Sequence, residues 1–182
     1  MKDDSSNLHN YVYSSDMMAF VTVSNKFCRY FEQLKEVDGK VFISESVKLL
    51  SEIYSSFVKL GNTEPVYESP GESTVNEQDW AAVYQQISMI LGPHNDYLRL
   101  AGESEFDRSE VVTHTIAEDS TDVYQELRDF TTIYSRGMEE YMNDAAWELK
   151  TRFAEHWGIK LLRSLKELHE LYVAGVDPTN EG

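Results

Sequence analysis

The sequence predicts an all-α fold, a single-domain bundle of roughly five helices that ends in a long C-terminal helix. Apolar residues recur with the 3.6-residue period of amphipathic helices along most of the 182 residues. Gly, Pro and capping residues separate these stretches, as they do between helices. The segment EVVTHT, at residues 110–115, is the one strand-like candidate, and it is short.

Five stretches have this period, and each has its own start or stop signals. A Ser/Asp cap precedes the first, Gly61 ends the second, and Asn76 caps the third, which Gly92 and Pro93 end. The helices are predicted at residues 14–34, 43–61, 76–91, 115–136 and 143–174. After the third helix, HNDYLRLA is expected to add one short helical turn.

The helical domain is expected to span residues 15–174. It lies between a flexible N-terminal segment, residues 1–14, and a flexible C-terminal tail, residues 175–182. Two acidic stretches, 62–75 and 102–110, are expected to be exposed loops, since the first has two prolines and no Lys or Arg.

Charge and cysteine content exclude several classes of protein. With 32 Asp and Glu against 16 Lys and Arg, the formal net charge is -16, which argues against direct binding to nucleic acid or anionic membranes. The single cysteine, Cys28, cannot form an internal disulfide and is expected to be a small buried residue. The opening MKDDSSNLHN is unlike a signal peptide, and no segment approaches membrane-spanning length. A cytoplasmic protein is therefore expected.

The long C-terminal helix contains an apolar stripe that is interrupted by one lysine. At 100° per residue, the stripe comprises Trp147, Ala154, Trp157, Leu161, Leu165, Leu168 and Tyr172. Gly158 lies beside the stripe, where a small residue would allow close packing. Lys150 lies within it, so its charge must either extend past its neighbours to water or meet a carboxylate. Asp119 and Asp122 of the fourth helix are the candidates for a structural ion pair, because Asp122 and Glu126 repel each other at i,i+4 and call for a base opposite.

The outward face of the same helix suggests a binding site. Arg152, His156 and Arg163 are predicted to lie there as a small basic patch that could bind a phosphate or carboxylate of a ligand or partner. A solvated histidine beside two neutralised arginines is the other interpretation.

Several stretches resemble a known family. The segments DAAWELKTRFAEHWGIKLLRSLKELH, TIAEDSTDVYQELRDF and FVTVSNKFCRYFEQL resemble the bacterial domain of unknown function 5063, in the same order and over nearly the whole chain. The ending with Trp, His-Trp-Gly and Leu-His is the most specific part. The resemblance implies a helical, cytoplasmic, bacterial protein and implies no activity.

Two functions follow from these observations. The first is a protein-protein interaction module that needs no cofactor and uses its acidic loops and tyrosines as contact surface. The alternative is a metal-dependent hydrolase that uses helix-borne carboxylates, with Asp119, Asp122 and Glu148 as ligands of a divalent metal. The sequence contains none of the common hydrolase, nucleotide-binding or zinc motifs. It gives no indication of the oligomeric state.

Overall fold

The computed structural model describes residues 2–67, 73–101 and 110–180, and it confirms the predicted all-α fold. The helices are α1 (Lys2–Val12), α2 (Ser15–Glu32), α3 (Gly39–Phe57), α4 (Glu77–Leu91), α5 (Ile116–Tyr134), α6 (Glu139–Arg152) and α7 (Gly158–Ala174). A π-helical turn, Phe153–Trp157, joins α6 to α7, so that they form the predicted long C-terminal helix. A 3-10 turn, Gly92–Asn95, leads from α4 to two strands, β1 (Asp96–Ala101) and β2 (Glu110–Thr115).

Side-chain caps fix several helix starts. The Asn76 carboxamide oxygen accepts hydrogen bonds from the backbone N–H groups of Gln78 and Asp79, which confirms the predicted cap of α4. Asp38 caps α3 in the same way, and Thr115 caps α5 through Glu118 N–H. These caps provide acceptors for backbone donors that have no partner within the helix.

The core lies where α7 packs between α3 and α5. Helix α2 packs on α3 and α5, α4 packs on α5, and α1 packs on α6. Trp157 is fully buried, and its ring meets that of Phe57 edge-on with 4.9 Å between centroids. Burial of each large apolar side chain stabilises the fold by roughly 1.5–3 kcal/mol.

The segment after α4 differs from the prediction. Only the first two residues of HNDYLRLA, His94 and Asn95, belong to a helical turn, the 3-10 turn. The other six form β1, which pairs antiparallel with β2. Tyr97 is directly opposite His114, and the two rings stack with 5.8 Å between centroids. Tyr97 is half-buried and Leu98 is 74% exposed, so the side chains alternate between two faces. EVVTHT is therefore a strand, and the hairpin packs on the helical domain through the face that carries Tyr97.

Both chain ends contact the helical domain. Residues 1–14, expected as a flexible segment, contain α1, in which Val12 is fully buried and Nδ1 of His9 lies 2.6 Å from Oε1 of Glu139. Within the expected tail, the Thr179 hydroxyl accepts a hydrogen bond of 2.8 Å from Gly39 N–H. Residues 68–72 and 102–109 of the predicted acidic loops lie outside the described residues.

The structure bears on two expectations from the sequence, which concern the Cys28 thiol and membrane-spanning segments. Cys28 is fully buried, and burial raises the pKa of its thiol to about 12, as expected for a small core residue rather than a reactive thiol. Among the described residues, no helix is both long enough and apolar enough to cross a membrane.

Candidate functional site

Charged side chains meet in two rows where α5 faces the C-terminal helix, and we call this array the polar seam. Its members are spaced three or four residues apart, so that each row follows one edge of its helix. The α5 row is acidic and the opposite row is mainly basic. The seam comprises Asp119, Asp122, Glu126 and Asp129 of α5, with Arg152, His156, Lys160 and Arg163 of the C-terminal helix.

Asp122 is held by two partners at the middle of the seam. Lys160 Nζ forms an ion pair with one carboxylate oxygen, and Trp80 Nε1–H of α4 donates to the other at 2.9 Å. The side chains of Lys160 and Asp122 are each 17% exposed. Three helices are therefore tied together at one carboxylate.

Of the two seam acids that form ion pairs with the C-terminal helix, Glu126 is the more deeply buried. Its Oε1 lies 2.5 Å from Arg152 Nη2, and its side chain is 8% exposed. Burial raises the pKa of Glu126 to about 7, although the charge of Arg152 acts in the opposite direction. This carboxyl therefore takes up a proton near neutral pH.

Asp119 closes the seam beside the hairpin. Its carboxylate accepts a hydrogen bond from the Tyr97 hydroxyl, and the charges of Lys160 and Arg163 favour its ionised form. Burial is the larger effect and raises the pKa of Asp119 above its ordinary value. Through this contact the seam holds β1 against α5.

Asp129, at the other end of the row, anchors the segment before α4. Its Oδ1 accepts hydrogen bonds from the backbone N–H groups of Thr74 and Val75, at 2.6 and 2.8 Å, and from the Thr74 hydroxyl at 2.7 Å. One carboxylate thus fixes the chain where it enters α4.

Lys150 was predicted to pair with Asp119 or Asp122, but in the structure it contacts neither of them. Lys150 Nζ donates to the carbonyl oxygens of Leu60 and Gly61, at 2.7 and 2.9 Å, just after α3. The base opposite Asp122 is Lys160. A base was expected there because of the like charges on α5, and only the identity of the lysine differs.

The π-helical turn explains this difference. It changes the angular position of every residue after it relative to a regular helix, in which the predicted stripe was counted. Trp157, Leu161 and Leu168 are buried as expected, whereas Ala154 and Tyr172 are exposed. Upstream of the turn, the buried residues are Met142, Asn143, Ala145, Ala146 and Leu149 instead of Trp147.

Gly158 is required by the same turn. Its N–H donates to the carbonyl oxygen of Phe153, five residues earlier. A Cβ at position 158 would lie 2.5 Å from that oxygen and 3.0 Å from the Phe153 ring. The expected close approach is therefore to the helix's own preceding turn.

The predicted basic patch does not face outward as a free cationic surface. Arg152 pairs with Glu126 and lies 3.8 Å from Glu148. His156 is half-buried, and its pKa is lowered first by burial and then by the charge of Lys160. Arg152, His156 and Arg163 do lie along one helix, but they face acids of the seam.

The structure does not bring the predicted metal ligands together. Among the described residues, no three His, Cys, Asp or Glu side chains are placed to hold a metal ion. Asp122 is engaged by Lys160 and Trp80, whereas Glu148 lies near Arg152. Asp119, Asp122 and Glu148 therefore act in separate contacts.

The sequence interpretation missed three residues of this site: Trp80, Tyr97 and Lys160. Trp80 reads as a core residue of an amphipathic helix, and Tyr97 lies in a segment predicted to be helical. Their indole N–H and hydroxyl groups were a usable signal, because such groups need hydrogen-bond partners when they are buried.

Comparisons with known proteins give a family and a fold. A family model described as "Domain of unknown function (DUF5063)" matches residues 11–174. The crystal structure of protein BF1032 from Bacteroides fragilis, a structural genomics target, is similar with a TM-score of 0.77 and 25% sequence identity, over 88% of this chain and 94% of that one. No curated protein matches this chain.

Proposed function

Because the chain belongs to the DUF5063 family, whose description names no activity, we propose a function from its own residues: a bacterial, cytoplasmic module that binds a basic protein. The excess of acids carries this proposal. If each of the 16 Lys and Arg residues paired with one acid, 16 of the 32 Asp and Glu residues would remain. Such a surface attracts basic partners and repels nucleic acid.

The polar seam leaves this excess of acids in place, because each of its ion pairs engages one base together with one acid. Lys160 and Arg152 direct their charges at α5 carboxylates, and Arg128 pairs with Glu32 at 3.1 Å. These bases therefore contribute little to neutralising the exposed acids. The same pairing favours a structural role for the seam over a catalytic one.

The hairpin offers apolar contact area next to acidic side chains. Leu98 and Val111 lie on the face opposite Tyr97 and are 74% and 56% exposed. Asp96 and Glu118 are exposed acids, and both lie near the end of the hairpin that carries Leu98. Apolar groups within a polar rim are the usual composition of a protein interface.

Native mass spectrometry of the protein, gently purified from its own host, tests the proposal. An added mass the size of a polypeptide is expected, and that polypeptide should be rich in Lys and Arg. The complex should dissociate as salt is raised, because exposed charge pairs are screened. Added mass of only a few tens of daltons per chain would instead point to a bound metal and to the hydrolase alternative.

Matched variants locate the interface. Leu98→Ser and Val111→Ser should weaken the complex, whereas Val173→Ser, at an exposed residue of α7, should not. An acidic or neutral partner, or a complex that is insensitive to salt, would contradict the proposal.

A further inference from the structure

An open cleft of about 640 Å³ lies between α1, the segment that follows α3 and the start of α6. Its lining includes Leu8 and Tyr11 from α1, Thr63 and Val66 from the segment after α3, and Glu140 from α6. This volume is within the range of sites that bind small ligands or inserted side chains, about 300–1,000 Å³. The cleft is separate from the polar seam and from the hairpin.

One wall of the cleft, the segment after α3, is held in place by side chains of α6. The Asn143 side chain is fully buried and donates to the Glu64 carbonyl oxygen at 2.8 Å. The Asp144 carboxylate accepts hydrogen bonds from the backbone N–H groups of Val66 and Tyr67, at 2.7 and 2.8 Å. Because this wall is already ordered, binding against it costs little conformational entropy.

The cleft itself is negatively charged. Glu64 and Glu140 line it, both are exposed, and neither forms an ion pair with another residue that the structure describes. No Lys, Arg or His is found among the described residues of its lining. On the α6 side of the wall, the opposite charges of Lys150 and Asp144 offset each other. A cation that enters the cleft therefore meets two carboxylates whose charges are not balanced.

Two exposed tyrosine rings lie beside these carboxylates. The Tyr67 and Tyr141 rings are 5.3 Å apart between centroids, and their residues are 46% and 44% exposed. Tyr67 directly follows Val66 and Tyr141 directly follows Glu140, so the pair borders the cleft. Tyrosine offers a large contact area at a small entropic cost, and its ring face also attracts cations. Exposed rings next to unpaired acids complement a basic polypeptide segment.

We propose that this cleft and its tyrosine pair bind a basic segment of the partner protein, an inference that rests on the proposed function. A Lys or Arg side chain of that segment enters the cleft and meets Glu64 and Glu140. Neighbouring apolar side chains of the segment cover Val66, Tyr67 and Tyr141. A second copy of this chain is a poor occupant, because its own net charge is -16.

The cleft is a contact area at the opposite end of α5 from the hairpin. Strand β2 leads directly into α5 at Ile116, whereas the Tyr134 hydroxyl, at the other end of α5, donates to the Val12 carbonyl oxygen of α1. With 19 residues at about 1.5 Å each, α5 is about 28 Å long. Changes in the hairpin should therefore leave binding in the cleft unaltered, so that each surface can be tested by itself.

The test compares a short synthetic peptide of lysine and leucine with the same peptide in which every lysine is acetylated, which removes the charges. With the full chain labelled with ¹⁵N, the lysine peptide should shift the Asn62 side-chain amide signal and the Thr63 and Val66 backbone amide signals in a saturable way. The acetylated peptide should bind at least about tenfold more weakly.

Two double variants separate the cleft from the general acidity of the protein. Glu64→Gln with Glu140→Gln should weaken lysine-peptide binding by about tenfold. Glu77→Gln with Glu155→Gln removes the same charge at exposed residues outside the cleft and should change binding by less than about twofold, because distant exposed charges are screened. All four residues are exposed, so the fold should be unaffected.

Single variants test the tyrosine pair. Tyr141→Ser should weaken lysine-peptide binding several-fold, because it removes one of the two rings. Tyr172→Ser, at a tyrosine of α7 that is 56% exposed, and Leu98→Ser, in the hairpin, should leave this binding unchanged.

Equal binding of the two peptides, or equal effects of the two double variants, would overturn the inference. If a basic native partner binds the Glu64→Gln, Glu140→Gln protein as tightly as it binds the unmodified protein, the cleft inference fails and the proposed function stands. If the native partner is not basic, the proposed function fails, and the cleft inference fails with it.

Discussion

Replacing Glu126 by glutamine measures what it costs to keep a carboxylate buried in the polar seam. The Glu126 side chain is 8% exposed and contacts Arg152 at 2.5 Å, while Asp129 and Glu148 add negative charge nearby. Burial outweighs the attraction of Arg152 and raises the pKa of Glu126 from 4.5 to about 7. The folded protein therefore binds this proton more tightly than the unfolded chain does.

The sign and size of the effect follow from proton linkage. Stability from this group is fully present below pH 4.5 and is lost as the pH rises through about 7. At about 1.4 kcal/mol per pH unit, the displacement corresponds to about 3 kcal/mol of unfolding free energy. Glutamine has no proton to lose and keeps an oxygen that can accept from Arg152. Glu126→Gln should therefore gain about 3 kcal/mol relative to the unmodified protein between acidic and mildly alkaline pH.

Urea denaturation followed by circular dichroism at several pH values gives this difference directly. The other titrating groups cancel, because they are common to both proteins. A stability difference that stays constant between about pH 4 and pH 8 would refute the argument. Glu148→Gln is the matched control, since it removes another carboxylate near Arg152 at a more exposed position, 23% against 8%. An equal pH dependence in that control would assign the effect to Arg152 and not to the burial of Glu126.

Two further substitutions test the packing of the C-terminal helix. Lys160→Met should cost about 1–3 kcal/mol in urea denaturation, because Asp122 then loses its cationic partner in a mostly buried place and keeps the Trp80 N–H. Adding Asp122→Asn should recover part of the loss. A Lys160→Met protein as stable as the parent would remove the argument for this pair. Gly158→Ala should lower the melting temperature, with a loss of about 1–3 kcal/mol, because its Cβ would meet the Phe153 carbonyl oxygen. The higher helix propensity of alanine, about 1 kcal/mol, acts in the opposite direction, so a raised melting temperature would show that the π-helical turn readily converts to a regular one.

Helices α2 to α7 could be predicted because their signals are local, whereas α1 was not predicted. The apolar period and the Asn76 cap lie within a few residues of the structure they specify. The hairpin could not be predicted in the same way. Strand β1 is six residues long, and it is stabilised by its pairing with β2 and by the hydrogen bond from Tyr97 to Asp119, which is 22 residues away. A two-stranded ribbon is marginal without such tertiary support.

The type of contact in the site could be predicted, but the residues that make it could not all be identified. Repulsion between Asp122 and Glu126 indicated a base on a facing helix, and the structure has two, Lys160 and Arg152. Choosing the correct lysine needed the angular position of residues beyond the π-helical turn. That turn depends on Gly158, whose sequence signal, one glycine in mid-helix, does not distinguish a π-helical turn from ordinary close packing.

Charge links the polar seam to the proposed binding surface. Each base of the C-terminal helix that neutralises an α5 acid is unavailable to offset the exposed acids elsewhere, so the contacts that stabilise the bundle leave the excess of acids on its exterior in place. Removing Lys160 would then weaken the fold and free a carboxylate at the same time. A search for the partner's contacts should therefore begin outside the seam, at the exposed Leu98 face, because exposed apolar groups gain most from being covered.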